Sequence, residues 1–417
     1  MKIVIATFGS LGDMHPMNAL GIELKKRGHE VIFAAMEFYR EKIEMLGFEL
    51  RPMRPNLDPN DKKLARELMD AGKGSELLLR KIILPNLRPM YEDLMKAVAD
   101  ADLLISSEVV FIADSVVQKT GIKWITTTLA PGTMLSAHDP FVPPNVQWLK
   151  HIRFLGSDFH GVMYGFVRRM IKSWFEEYRT FRRELNLSEN HDPLFDGKSD
   201  LLNLAMFSKV LGRPQPDWHS PTLQTGFCFY DGADDLGKMP EGLTEFLENG
   251  EPPIVFTLGS AAVMDARDFF EESAKAAKLL KKRAVLLYGI FNEPPKGLDK
   301  NIVAFDYAPY SQIFPKAACV VHQGGVGTTS QALRAGVPHL FMPYSHDQPD
   351  NAARCERIGA ARVISREKYD GKTAAKELDK LLSDESYKIN AIEHSKIVQN
   401  ERGTQTACDA IEQILKK

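Results

Sequence analysis

Four cysteines in 417 residues, Cys228, Cys319, Cys355 and Cys408, are too few and too scattered for a disulfide framework, and no C-x-x-C pair offers a structural zinc site. The chain also lacks net charge. Its 53 Lys and Arg stand against 55 Asp and Glu, a formal −2, so no global positive field exists to hold nucleic acid phosphates. No stretch offers 18 uninterrupted apolar residues, and the apolar run after Lys2 ends at Gly9, too short for a secretory signal. The expectation is a cytoplasmic chain in a reducing compartment, with no nucleic acid or membrane partner and no bound metal. What is present is the balance of a folded enzyme or binding protein. Hydrophobic residues make up 44% and charged residues 26%, over a length suited to two or three domains of about 150 residues.

Residues Ile3 to Phe8 form a near-continuous apolar run closed by Gly9, the pattern of a strand buried on both faces of a parallel sheet. After the loop Gly9 to His15, Pro16 suits a first helical residue, and Leu20, Leu24 and Gly28 carry that helix to its stop. Further strands are expected at Val31 to Ala35, Phe48 to Arg51, Leu103 to Ser106 and Trp124 to Thr128, a β-α-β series. From Leu149 to Leu185 aromatic residues alternate with Arg168, Arg169, Lys172 and Arg182. A pair of amphipathic helices covering the sheet explains this better than an element lying on a membrane. The stretch from Arg213 to Gly237 is rich in proline, glycine and aspartate and reads as a linker. A second β-α-β series follows, with strands at Ile254 to Leu258, Ala284 to Leu287, Ile302 to Phe305 and Cys319 to His322. The division is then 1–212, a linker 213–237, a second domain 238–390, and a helical tail 391–417 able to pack back on the first.

The segment from Val320 to Ser330 is an apolar strand, a glycine-rich turn and the start of a helix. Such a turn gathers unshielded backbone N–H groups at a helix N-terminus, as a diphosphate requires, although a ligand-free turn looks the same. The next strand, Pro338 to Pro343, delivers Asp347-Gln348 to its carboxyl end, where open α/β sheets bind ligands. A carboxylate beside an amide suits the adjacent hydroxyls of a sugar ring, and equally a helix cap.

Taken in order, Tyr307-Ala308-Pro309, His322 to Thr329, Ala335 to Pro338 and Asp347 to Ala352 resemble the donor signature of the UDP-dependent glycosyltransferase family with the GT-B fold. The loop Gly9-Ser10-Leu11-Gly12-Asp13-Met14-His15-Pro16 resembles that of its sterol, glycopeptide and macrolide branches. The resemblance implies an α/β protein of two Rossmann-like, doubly wound parallel-sheet domains facing across a cleft. It implies that Tyr307 stacks on the base, Ala308 meets the base edge, and Tyr310 and Ser330 occupy the ribose positions. Those last two depart from the plant branch, which has glutamine and glutamate there, and this leaves UDP against TDP open. His322, Gly324, Gly325, Val326, Gly327 and Thr328 would hold the diphosphate, with Ser10, Gly12 and Ser260 beside it, and Asp347 and Gln348 the sugar.

In that family setting Asp13 is the expected general base, with His15 as its rival and a simple helix cap as the plain alternative. The acceptor pocket is expected from Phe8, Glu108, Met134, Phe141, Trp148, Phe159 and Trp174, which suit a hydrophobic alcohol or phenol. The expected reaction is inverting transfer of a hexose, glucose first, from a UDP-sugar, with no cofactor. A nucleotide-sugar epimerase or hydrolase, or a binding module without turnover, are the alternatives.

Overall fold

The computed structural model describes residues 1–232 and 237–416. Residues 233–236 of the expected linker and the terminal Lys417 lie outside the described residues.

The first sheet has seven strands: β1 (Lys2–Ala6), β2 (Glu30–Ala35), β3 (Glu49–Pro52), β4 (Leu103–Ser107), β5 (Lys123–Thr128), β6 (Asn203–Ala205) and β7 (Thr222–Gln224), in the order β3-β2-β1-β4-β5-β6-β7. The second has six: β8 (Ile254–Thr257), β9 (Ala284–Leu287), β10 (Ile302–Phe305), β11 (Cys319–His322), β12 (His339–Phe341) and β13 (Ala361–Val363), in the order β10-β9-β8-β11-β12-β13. Every pairing is parallel. Helices cover both faces, so central strands are apolar throughout. Ile3, Val4 and Ile5 are wholly buried, each worth roughly 1.5–3 kcal/mol of transfer free energy. Each sheet reverses direction of winding once, between β1 and β4 and between β8 and β11, and ligands of such sheets sit at those two crevices.

Several local expectations change. The first helix, α1 (Leu11–Lys26), starts five residues before Pro16, because Ser10 and Asp13 form a reciprocal capping box at its N-terminus. Pro16 is therefore inside the helix, where its missing N–H removes one bond to the Gly12 carbonyl. Within the stretch expected as linker, Thr222–Gln224 is the edge strand β7, too short for its pattern to stand out among prolines and glycines. The aromatic segment is a 3-10 stretch, Pro144–Leu155, followed by α2 (Gly156–Ile171), and most of α2 is exposed instead of covering the sheet.

In the second lobe, α3 (Val326–Ala335) follows β11 and α4 (Gln348–Arg357) follows β12. The tail is two helices, α5 (Glu385–Asn400) and α6 (Gly403–Leu415). α6 returns to the first lobe: Ala407, Cys408 and Ile411 join its core, and Arg27, just past the end of α1, bonds Asp409 at 2.6 Å and Glu412 at 3.2 Å. The lobes also meet through the helix Lys62–Leu68, where Arg66 bonds Asp265 at 3.0 Å, and through Ser345, whose Oγ donates to the Asp70 carbonyl at 3.0 Å. No helix among the described residues is long and apolar enough to cross a membrane.

Candidate active site

Asp13 stands in the first turn of α1, directly after β1. The Ser10 N–H donates to its Oδ2 at 2.7 Å and the Ser10 hydroxyl at 3.2 Å, while the Gly12 N–H donates to Ser10 Oγ at 3.2 Å. Ser10 and Gly12 are thus part of the cap. Gly9 must be glycine: its φ is +129° and a Cβ there would run into the Asp13 carboxylate. Burial pushes the Asp13 carboxyl up to about 6, against the pull of the Ser10 hydrogen bonds. His15 is two residues on, so it faces another side of the helix, and its ring lies 5.0 Å from that of Tyr230.

At the other strand of the same crevice, Glu108 follows β4. Burial lifts its carboxyl to about 7; Lys198 opposes that rise and the charge of Asp13 adds to it. Glu108 and Asp13 therefore share one electrostatic environment, as the topology requires of residues that end β1 and β4. Among the expected acceptor residues, Phe8 and Met134 are core side chains, each at most 6% exposed. Phe141 is held through its N–H to the Tyr164 hydroxyl at 2.9 Å, and Trp174 is half-buried near Arg80. Trp148 and Phe159 lie on the surface, 60% and 44% exposed, the Phe159 ring 5.3 Å from that of His160.

The second crevice is built from two adjacent turns. The Gly259-Ser260 turn ends β8, the Gln323-Gly324-Gly325 turn ends β11, and Gln323 ties them by accepting the Gly259 N–H at 2.9 Å. Gly324 has φ +98°, and a Cβ there would sit 2.9 Å from the Gln348 carbonyl. α3 then begins at Val326 with no side-chain cap, which leaves the amides of Val326, Gly327 and Thr328 to an outside acceptor.

His322 plays a different part from the expected one. It is wholly buried; its Nδ1 accepts the Gly324 N–H at 3.1 Å, so Nε2 carries the proton and donates to His339 Nδ1 at 3.0 Å. Burial holds both imidazoles neutral, His322 well below its usual range and His339 at about 3. The ring shapes the glycine turn from behind. Tyr310 is likewise internal, its hydroxyl 2.8 Å from Thr257 Oγ1 and its ring stacked on Phe314. Ser330 donates to the Gly327 carbonyl at 2.8 Å, which spends its hydroxyl inside α3. Tyr307 is half-buried just past β10, and Ala308 is wholly buried.

Asp347 precedes α4 with its carboxyl raised to about 6, first by burial and further by the charges of Asp13 and Asp350. Asn351, which lies in the Asp347 to Ala352 motif with no role expected of it, donates from Nδ2 to Asp347 Oδ2 at 2.7 Å and to the Gly324 carbonyl at 2.9 Å. One side chain thereby links the expected sugar site to the glycine turn. Gln348 is only 5% exposed; its Oε1 accepts the Tyr344 N–H at 2.9 Å and its amide lies 3.7 Å from Met69 Sδ of the first lobe. The missed residues Gln323, Asn351 and His339 carried a signal only in lying inside or beside the recognised motifs.

Family models match both lobes of the chain. Residues 3–138 match the glycosyltransferase family 28 N-terminal domain, and residues 293–414 match the C-terminal domain of erythromycin biosynthesis protein CIII-like proteins. The O-mycaminosyltylonolide 6-deoxyallosyltransferase of Streptomyces fradiae is 31% identical over 99% of this chain and 97% of its own length. The sterol 3-beta-glucosyltransferase of Candida albicans is 26% identical over 98% of this chain, which spans 27% of that longer protein. Among solved structures, the glycotransferase of kitacinnamycin superposes with a TM-score of 0.76 at 20% identity over 99% of both chains. A Streptomyces sp. SF2575 glycosyltransferase complexed with thymidine diphosphate gives 0.66 at 20% identity, again over 99% of both.

Proposed function

Because the chain belongs to the UDP-dependent glycosyltransferase family with the GT-B fold, we propose that it transfers one hexose from a nucleoside diphosphate sugar to a hydroxyl of a hydrophobic small molecule, with inversion at the anomeric carbon. The observation that carries this is the meeting of Asp13 and Asp347: a carboxylate at the β1 crevice lies within electrostatic reach of the sugar-side carboxylate at the β12 end.

In this reading the donor lies along the second lobe, its diphosphate on the amides of Val326 to Thr328 and its hexose toward Asp347. The acceptor enters beside Glu108 and Phe141. Oδ2 of Asp13 is occupied by Ser10, so Oδ1 takes the acceptor proton while the acceptor oxygen attacks from the face opposite the diphosphate. General-base help of this kind is worth about 10²–10⁴ in rate. The leaving diphosphate gathers charge, and the free amides and dipole at the start of α3 stabilise it; the scheme calls on no metal or cofactor.

The donor base is proposed as uracil. A thymidine diphosphate donor is the second reading, favoured by Ser330, whose hydroxyl proton goes to the Gly327 carbonyl, so that toward a 2′-hydroxyl it can only accept and lacks the charge of a carboxylate. The acceptor is proposed from the sterol and macrolide class on which the named relatives act. Incubation with UDP-glucose or TDP-glucose and a panel of sterols, macrolide aglycones and phenols, followed by mass spectrometry, is expected to give acceptors heavier by one hexose. Free hexose without conjugate would mark a hydrolase, and an isomerised donor an epimerase; either would overturn the proposal.

A further inference from the structure

Helix α2 is apolar on two sides. At 3.6 residues per turn His160, Tyr164, Val167 and Ile171 share the inner face, where His160 and Ile171 are buried and Val167 packs on the first-lobe core. Phe159, Val162, Phe166 and Met170 fall within roughly 80° of arc on the outer side. They are 44%, 77%, 67% and 59% exposed. A helix that is apolar all round belongs in an interior, so this outer stripe lacks a partner within the chain.

The stripe can pair with itself. A two-fold axis crossing the helix near Val162 puts Phe159 opposite the copy's Phe166 and Val162 against its own counterpart. The charges obey the same symmetry. Asp158 and Arg169 are exposed, lie on one flank of the stripe near its two ends, and form no ion pair or hydrogen bond within the described residues. In an antiparallel pair each Asp158 meets the other copy's Arg169, giving two reciprocal ion pairs. Gly165 lies on that same flank. A Cβ at Gly165 would meet nothing within 4 Å, so no internal contact accounts for a glycine that costs about 1 kcal/mol in a helix interior.

We propose that this face joins two copies of the chain, α2 against α2 in antiparallel contact about a two-fold axis. A self-complementary patch of this kind is what an isologous dimer needs. With 16 residues, α2 offers a seam only about 24 Å long, so the dimer is weak and dependent on concentration.

Sedimentation velocity on the full chain over a concentration series tests this together with three variants. The native chain is expected to shift from monomer to dimer. Asp158→Arg, which places like charges together, is expected to weaken association at least tenfold, and adding Arg169→Asp is expected to restore it. Val162→Cys is expected to give an interchain disulfide on oxidation, the four native cysteines being buried. A monomer at every concentration, or a double swap no better than the single one, would overturn the proposal. So would binding of anionic phospholipid vesicles abolished by Phe166→Asp, since that outcome assigns the stripe to a membrane. None of these readings depends on glycosyl transfer.

Discussion

Asp13 and Asp347 come from opposite lobes, yet the charge of the first raises the proton affinity of the second. That relationship exists because each residue follows a strand at the carboxyl edge of its own sheet, and the two edges face one another. Asn351 then extends the line from Asp347 to the Gly324 carbonyl, so the expected base, sugar site and phosphate turn form one continuous set.

The activity should follow the ionisation of Asp13. A base must be unprotonated, so kcat/KM is expected to rise with pH up to about 6, the value to which burial lifts this carboxyl, and to level off above it. Stability runs the other way. Between the ordinary aspartate range and about 6, the folded chain keeps protons on Asp13 and Asp347 that the unfolded chain has released, so stability falls as pH rises through that window. Asp347→Asn should therefore raise the unfolding free energy at neutral pH by at most about 3 kcal/mol, and leave it unchanged below about pH 4. Denaturant titrations at the two pH values measure this; equal effects at both would contradict it.

Two glycines of the phosphate turn should separate binding from folding. In Gly324→Ala the new Cβ meets the Gln348 carbonyl at 2.9 Å and the Phe341 ring at 3.0 Å, with φ at +98°. It should lose about 1–3 kcal/mol of stability along with UDP affinity. In Gly327→Ala the Cβ meets nothing within 4 Å, so stability should hold or rise while UDP affinity drops. Calorimetric titration with UDP and thermal melts on both variants check the contrast.

The sheets were largely legible because parallel strands buried on both faces read as apolar runs: β1, β2, β4, β5, β8, β9, β10 and β11 all stand within two residues of their expected places. β6, β7 and β13 have three residues each and carry no period to read. The site was legible where backbone decides function, as at Gly324 and Val326, and less so where side-chain direction does. His322 looks like a ligand in sequence, but its partner His339 lies 17 residues on and turns it inward. Trp148 and Phe159 have the composition of a pocket wall, and only the course of the Pro144–Leu155 stretch and of α2 shows them at the surface.

The network behind α4 was invisible for the same reason. Arg354, 1% exposed, bonds Asp350 at 2.6 Å and the Leu211 carbonyl at 3.0 Å, and also pairs with Asp139 of the first lobe. Asp350 in turn accepts the Val142 N–H at 3.0 Å. Arg354→Met strands the buried Asp350 carboxylate and takes from Asp139 one of its three arginine partners, the others being Arg153 and Arg357, and should cost about 3–5 kcal/mol, seen as a lowered denaturation midpoint. An unchanged midpoint would show that the lobes are held together elsewhere.

The most direct test is Asp13→Asn, which can keep the bond from the Ser10 N–H and removes only the proton acceptor. Glycosyl transfer should fall by about 10²–10⁴ while UDP affinity, measured on the same preparation, stays at the native value. Native turnover in the variant would contradict the assignment of Asp13 as base, and lost UDP binding with it would place the residue in donor recognition instead.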